Sequence, residues 1–242
     1  VLHEIGEQGY VEPSKELFSS FIESWFTSHY EKRIKDTTAS NAHSLINKHL
    51  IRENPFANKP LSKITTEDID AFYNLKIDEE YSSSYIRKMH QMLNQAFTQA
   101  VKWKRIKYNP VTDADPPAVK KEEMKIWSYD EINTFLEHCE GERHYLTFFL
   151  AIYTGMRRGE ILGIKWSDID LVNKTIHVQR SLAYISKKGY ILTSTKTKNS
   201  NRIVPISEMV VKVLMNYRTQ QEMHKAQLDE LYQDEDFVIC TE

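Results

Sequence analysis

The chain has 242 residues, of which 40% are apolar and 27% charged, with only 7 Gly and 7 Pro, a composition of one or two folded domains that excludes fibrous and mostly disordered proteins. Its two cysteines, Cys139 and Cys240, stand far apart with no CxxC or Cys/His spacing, which excludes a disulfide scaffold and a zinc knuckle and fits a reducing cytoplasm. Lys and Arg number 32 against 34 Asp and Glu, a formal net charge of −2, unlike an evenly basic nucleic-acid-binding domain.

Residues 1–12 run into EPSK and read as the tail of a preceding segment, without the basic and apolar regions of a signal peptide. Leu17, Phe18, Phe21, Ile22, Trp25 and Phe26 then recur at three- and four-residue spacing, one apolar face of a helix. A second helix is predicted from about Ala39 to Ile51, with Ala42, Leu45, Ile46 and Leu50 on its face. Thr65 and Asp68 have the spacing of an N-terminal cap for a short helix over Glu67 to Tyr73. The longest helical pattern follows Ser82–Ser84, with Ile86, Met89, Leu93, Ala96, Phe97, Ala100 and Val101 on one side. Four helices and no strand pattern predict a small all-α domain over 13–108.

Residues 109–123, NPVTDADPPAVKKEE, carry three prolines and clustered charge and read as an interdomain linker. Beyond them, over 124–242, the pattern is mixed α+β. Ser128 and Glu131 have capping-box spacing ahead of Ile132, Phe135 and Leu136, and His144 to Tyr153 is a nearly all-apolar helix expected to be buried. Thr154 and Gly155 break it, and a new helix is predicted from about Met156. Residues 175–206 have β texture: TIHVQR, AYI, a turn SKKG, YILTSTK, a second turn KNSN, and RIVPI. Ser207 to about Leu228 is helical again. The longest mostly apolar stretch, Tyr145 to Met156, falls short of the roughly 20 residues that span a bilayer.

The near-neutral total conceals segregation. Tyr81 to Thr112 holds Arg87, Lys88, Lys102, Lys104, Arg105 and Lys107 and no acid, and Val172 to Ile206 holds Lys174, Arg180, Lys187, Lys188, Lys196, Lys198 and Arg202, again with no acid. Two such stretches fit two surfaces that meet a polyanion, or two solvated faces. In TGMRRGEILGIKWSDID, Thr154–Asp170, a glycine turn delivers Arg157 to a helix start with Glu160 one turn on. A carboxylate so placed can brace a guanidinium that grips two phosphate oxygens at once. The same spacing also occurs in ordinary surface ion pairs. In STKTKNSNRIVPI, Lys196 lies at the edge of a hairpin with a polar tip, Lys198–Asn201, where a lysine can reach a DNA backbone or simply be solvated. Trp103 and Tyr108, interleaved with the cations, could stack on sugars or bases or pack on the linker. His43 and His49 have no third ligand at metal spacing.

Taken together, these two motifs in this order resemble the tyrosine recombinase family, the integrases of phages and conjugative transposons. TGMRRGEILGIKWSDID is similar to the family's first arginine box and STKTKNSNRIVPI to its β-hairpin lysine segment. The region from Pro13 to Tyr108 is similar to its core-site-binding domain. The resemblance implies a SAM-like all-α bundle followed by a mixed α+β catalytic domain, incomplete at its C-terminus, the two closing around duplex DNA. It implies a catalytic set of Arg157 clamping the nonbridging phosphate oxygens, Glu160 orienting Arg157 or the neighbouring active-site groups, and Lys196 as general acid toward the leaving 5′ oxygen. Arg87, Lys88, Lys102, Lys104, Arg105, Lys107, Lys198 and Arg202 are the expected DNA contacts. A tyrosine would attack the scissile phosphate and form a 3′-phosphotyrosyl link, with no cofactor and no catalytic metal.

The chain departs from the family pattern at its end. The second box, HxxR, and a tyrosine in the family's context do not appear before DEDFVICTE, and Tyr217 and Tyr232 lack that context. The expectation is a piece of a longer protein, trimmed also of an arm-binding domain before residue 13, that binds DNA without cleaving it. The parent would integrate and excise a mobile element as a homotetramer on double-stranded core sites, in the cytoplasm at the nucleoid, with an excisionase-type directionality factor and no membrane. The alternatives are a noncatalytic DNA-binding regulator of the same fold, a chromosome-resolving recombinase, and a module whose basic stretches bind an acidic protein.

Overall fold

The structure, a computed structural model, describes residues 15–119, 123–185, 188–194, 201–229 and 232–240. It divides into two compact units, Val1–Glu123 and Met124–Glu242.

In the first unit, α1 (Phe18–Trp25) buries Phe18, Phe21, Ile22 and Trp25, the predicted apolar face, and runs on into a π turn, Phe26–Tyr30. The second helix, α2 (Asp36–Leu45), starts before Ala39 and also ends in a π turn, Ile46–Arg52. Thr65 caps α3 (Thr66–Asp78): the Asp68 N–H donates to the Thr65 hydroxyl and the Thr65 N–H to the Asp68 carboxylate. This helix continues past Tyr73 because Lys76, which sits on its buried face at 0% exposure, is neutralised. Its ammonium donates to Glu79 at 2.7 Å and to Glu53 at 3.0 Å. A buried cation is tolerated only when so paired. The long helix α4 (Ser83–Lys102) buries Ile86, Met89, Leu93, Ala96, Phe97 and Ala100 against these elements.

Of the stretch expected as a linker, residues 109–115 are packed on the first unit. Val111 and Ala114 belong to the core of the first unit, and polar groups fasten their neighbours. Asn109 donates to Asn94 and Thr98, the Thr66 hydroxyl donates to the Pro110 carbonyl, and the Asp115 N–H donates to Asp70. Prolines, which lack a backbone donor, give the segment an unstructured look, but Val111 and Ala114 are buried in the core while Val119 is exposed.

In the second unit, Ser128 and Glu131 form the expected capping box of α5 (Tyr129–Cys139). The apolar helix α6 (Tyr145–Thr154) is less buried than its sequence predicts. It buries Leu146, Phe149 and Leu150, while Phe148 and Tyr153 remain 41% and 38% exposed, Phe148 edge-on to Phe135 and Tyr153 against Phe149. Gly155, at φ +62°, ends it in the left-handed conformation that glycine adopts without a Cβ penalty. The next helix, α7, spans Arg158–Leu162 rather than starting at Met156, so that Arg157 is its N-cap in an extended conformation. A 3-10 turn, Trp166–Asp168, leads into β1 (Ile169–Asp170), β2 (Thr175–Val178), β3 (Arg180–Ile185), β4 (Gly189–Ser194), β5 (Arg202–Pro205) and α8 (Glu208–Leu228).

The strands form two antiparallel sheets, β1-β2-β5 and β3-β4. The predicted pairing of YILTSTK with RIVPI is therefore not observed among the described residues. β4 pairs with β3, Tyr190 opposite Tyr184, whereas β5 pairs with β2, Val204 opposite Ile176 in the core. The end of the chain returns as a strap: Phe237 pairs antiparallel with Lys165, and Val238, fully buried, donates its N–H to Ile164. Gln221 of α8 fastens the strap, accepting from the Trp166 indole and donating to the Phe237 carbonyl.

Candidate active site

α7 is seated against β3 by two glycines. A Cβ on Gly159 would lie 2.8 Å from the Leu182 carbonyl oxygen and overlap the Ser181 hydroxyl, and one on Gly163 would lie 3.2 Å from the Leu182 nitrogen. Backbone meets backbone there, and the helix start is held beside the sheets. This places Arg157 and Glu160 next to Arg202 at the start of β5.

Glu160 is the centre of the cluster, with only 4% exposure. Its carboxylate accepts four bonds. The Arg157 backbone N–H reaches Oε2 at 3.0 Å and the Arg157 Nη1 reaches Oε1 at 2.9 Å. Arg202 binds it two-pronged, Nη1 to Oε1 at 3.1 Å and Nη2 to Oε2 at 2.9 Å. A carboxylate offers about four lone-pair sites, so this one is saturated. Burial works to raise the Glu160 pKa, but the bonds from Arg202 and Arg157 outweigh it and hold the group down at about 2. The same pairing raises the pKa of Arg202. Arg157 differs from Arg202 in exposure, 74% against 32% for the side chain. Among the described residues it lends one guanidinium N–H to Glu160 and keeps the rest outward, a fixed cation able to grip an anionic oxygen pair. Lys196 and Lys198 lie outside the described residues.

A second buried carboxylate organises the neighbouring strand. Asp168 accepts from Gln179 at 2.6 Å, from the Lys165 N–H at 2.9 Å, and from Arg180, with which it forms an ion pair. Neither this role nor the glycine contact of α7 was evident in the sequence, although an Asp three residues past Lys165 carries the same capping signal used elsewhere.

Residues 125–240 match the phage integrase family and residues 17–77 match the phage integrase N-terminal SAM-like domain. The chain belongs to the phage integrase family. The tyrosine recombinase XerC-like protein of Caldanaerobacter subterraneus subsp. tengcongensis is 31% identical over 199 residues, 76% of this chain and 51% of its own length. The chain thus spans about half the length of that relative. Among solved structures, the Tn1549 transposon integrase in complex with circular intermediate DNA superimposes with a TM-score of 0.74 at 18% identity, over 93% of this chain and 71% of its own. The lambda integrase tetramer bound to a Holliday junction does so with a TM-score of 0.63 at 26% identity, over 94% and 58%.

The structure distinguishes among the residues expected to contact DNA. Lys88, Lys102, Lys104, Arg105 and Lys107 are exposed along and just beyond α4. Arg105 also lies 3.9 Å from Glu16. Arg87 is committed elsewhere: its guanidinium donates to the Pro117 and Pro116 carbonyls. Arg202 is likewise committed, to Glu160. Trp103 packs edge-on against Phe21 and His29 rather than on the linker, while Tyr108 is 62% exposed. Burial raises the pKa of the half-buried Tyr217, and burial with a bond to Cys240 pushes Tyr232 up to about 12. Neither phenol has the environment of an activated nucleophile. Among the described residues no cluster of His, Cys, Asp and Glu could hold a metal ion, and no helix is long and apolar enough to cross a membrane.

Proposed function

We propose that the whole protein is a site-specific tyrosine recombinase that integrates and excises a phage or conjugative transposon through a 3′-phosphotyrosyl intermediate. The observation that carries this reading is the saturated Glu160 carboxylate, which holds the exposed Arg157 guanidinium at the head of α7. Arg157 clamps the nonbridging oxygens and stabilises the charge that develops on them. A tyrosine hydroxyl attacks phosphorus, the P–O5′ bond breaks, and Lys196 donates a proton to the departing 5′ oxygen. The bond energy is kept in the phosphotyrosine, so the step consumes no cofactor.

The first unit, with 109–117 packed on it, binds the core site through Lys88, Lys102, Lys104, Arg105 and Lys107, and Lys198 adds a contact from the second unit. The partners are double-stranded core sites and three further copies of the protein, as the lambda integrase tetramer on a Holliday junction supports. An excisionase-type factor sets direction, and the protein works in the cytoplasm at the nucleoid. Incubating the whole protein with a nicked suicide duplex that spans the recombination junction tests this reading. A denaturation-resistant adduct linking a tyrosine to a DNA 3′ phosphate is expected. Tight binding with no adduct would instead identify a noncatalytic DNA-binding regulator.

A further inference from the structure

Arg202 and Arg157 compete for one carboxylate, and the competition is settled in favour of Arg202. Arg202 engages both Glu160 oxygens through two guanidinium nitrogens, while the Arg157 side chain has a single bond to Oε1. Glu160 is buried and Arg157 is largely exposed on a flexible stem. A buried carboxylate deprived of half its donors takes the nearest replacement, because leaving it unpaired carries a large desolvation cost. The nearest replacement is Arg157, whose planar fork fits a carboxylate two-pronged as well as it fits a phosphate.

We infer that Arg202 is a positioning residue: by saturating Glu160 it prevents the carboxylate from capturing Arg157, and so leaves the Arg157 fork free for the scissile phosphate. The inference rests on the recombinase reading above and deepens it. It also reassigns Arg202, which its place in a basic stretch put among the expected DNA contacts, from binding to catalysis at one remove.

Adduct formation by the whole protein on saturating nicked suicide duplex, measured beside duplex affinity at several salt concentrations, tests it. Arg202→Gln is expected to slow adduct formation by about 10- to 100-fold, the scale of a misplaced catalytic group, with affinity and salt slope unchanged. Arg202→Lys, which keeps the charge but only one prong, should fall between the two. Adding Glu160→Gln to Arg202→Gln should restore part of the rate, since a neutral amide no longer draws Arg157 inward. A merely structural role predicts the opposite, a deeper loss in the double variant, and that result would overturn the inference. So would an Arg202→Gln protein with normal rate at saturation but weaker, less salt-dependent binding, the signature of a lost phosphate contact. If Arg202→Gln does not fold, the rate-only defect of Arg202→Lys carries the test, and wild-type behaviour of Arg202→Lys in both measurements counts against it. Arg157→Ala as a control separates the two levels. Normal cleavage by Arg157→Ala removes the recombinase assignment of that residue and the positioning role with it, whereas a dead Arg157→Ala beside a fully active Arg202→Gln removes only the latter.

Discussion

Buried charge is handled at three residues of this chain by the same rule, that an ion leaves water only with its partners in place. Glu160 has Arg157 and Arg202, Asp168 has Arg180 with Gln179, and Lys76 has Glu53 with Glu79. Burial alone would lower the Lys76 pKa, yet the bonds to Glu79 and Glu53 keep it above the ordinary lysine value. Removing the ion costs less than stranding it. Lys76→Met should change unfolding free energy by less than about 2 kcal/mol, whereas the Glu53→Gln, Glu79→Gln pair should cost about 3 to 5 kcal/mol. Urea midpoints of the three proteins check this, and equal losses would refute it. His49 sits beside this cluster, buried edge-on to the rings of Tyr81 and Tyr85 and bonded to Glu53. Burial lowers its pKa, despite Glu53, and lowers that of His90 as well. The unfolded chain, with histidines near 6.5, therefore takes up those protons first. Stability is complete above about pH 6.5 and declines as pH falls below it. The urea midpoint at pH 5.5 should lie below that at pH 7.5, and His49→Phe should flatten the difference. The Glu160 carboxylate, held at about 2, adds a second loss only below the ordinary carboxylate range.

Among the elements, α7 and the end of α4 each bend a local rule. α7 lies so close to β3 that Gly159→Ala should push the helix outward, cost about 1 to 3 kcal/mol by overpacking, and slow DNA cleavage by moving Arg157. A Gly159→Ala protein with unchanged thermal midpoint and rate would contradict that packing. The α4 terminus closes as a Schellman motif, with Arg105 N–H bonded to the Ala100 carbonyl and Lys104 N–H to that of Val101. Its left-handed position, φ +58°, is occupied by Lys104 where glycine is the usual residue. Lys104→Gly should therefore stabilise the chain by about 0.5 to 1 kcal/mol while weakening DNA binding. Stability gained without loss of affinity would exclude Lys104 as a phosphate contact. Apolar periodicity made α1, α4 and both capping boxes legible, because a helix face and a cap are written in neighbouring residues. Lys76 was legible in principle, falling at the i, i+3, i+4, i+7 positions of Ile69, Phe72 and Tyr73, but its partner Glu53 is 23 residues away. Arg157 and Glu160 could be paired from their spacing alone. Arg202 is 42 residues from Glu160, and only strand pairing brings the two together, so its basic character pointed to DNA instead.

At the scale of the whole molecule, a formal charge of −2 coexists with an exposed cation group at the end of the first unit, and local charge governs binding to a polyanion. Affinity of the chain for a duplex should fall steeply with salt, and removing Lys102, Lys104 and Lys107 together should reduce the log–log slope by as much as about three. A shallow slope in the unaltered chain would favour an acidic protein partner. The family assignment makes the catalytic reading specific. The most direct measurement is the rate of covalent adduct formation by the whole protein carrying Arg157→Ala on saturating suicide duplex. The account predicts near-normal DNA affinity with adduct formation reduced by about a thousandfold. An adduct forming at the wild-type rate would contradict it and leave the Glu160 cluster a structural feature only.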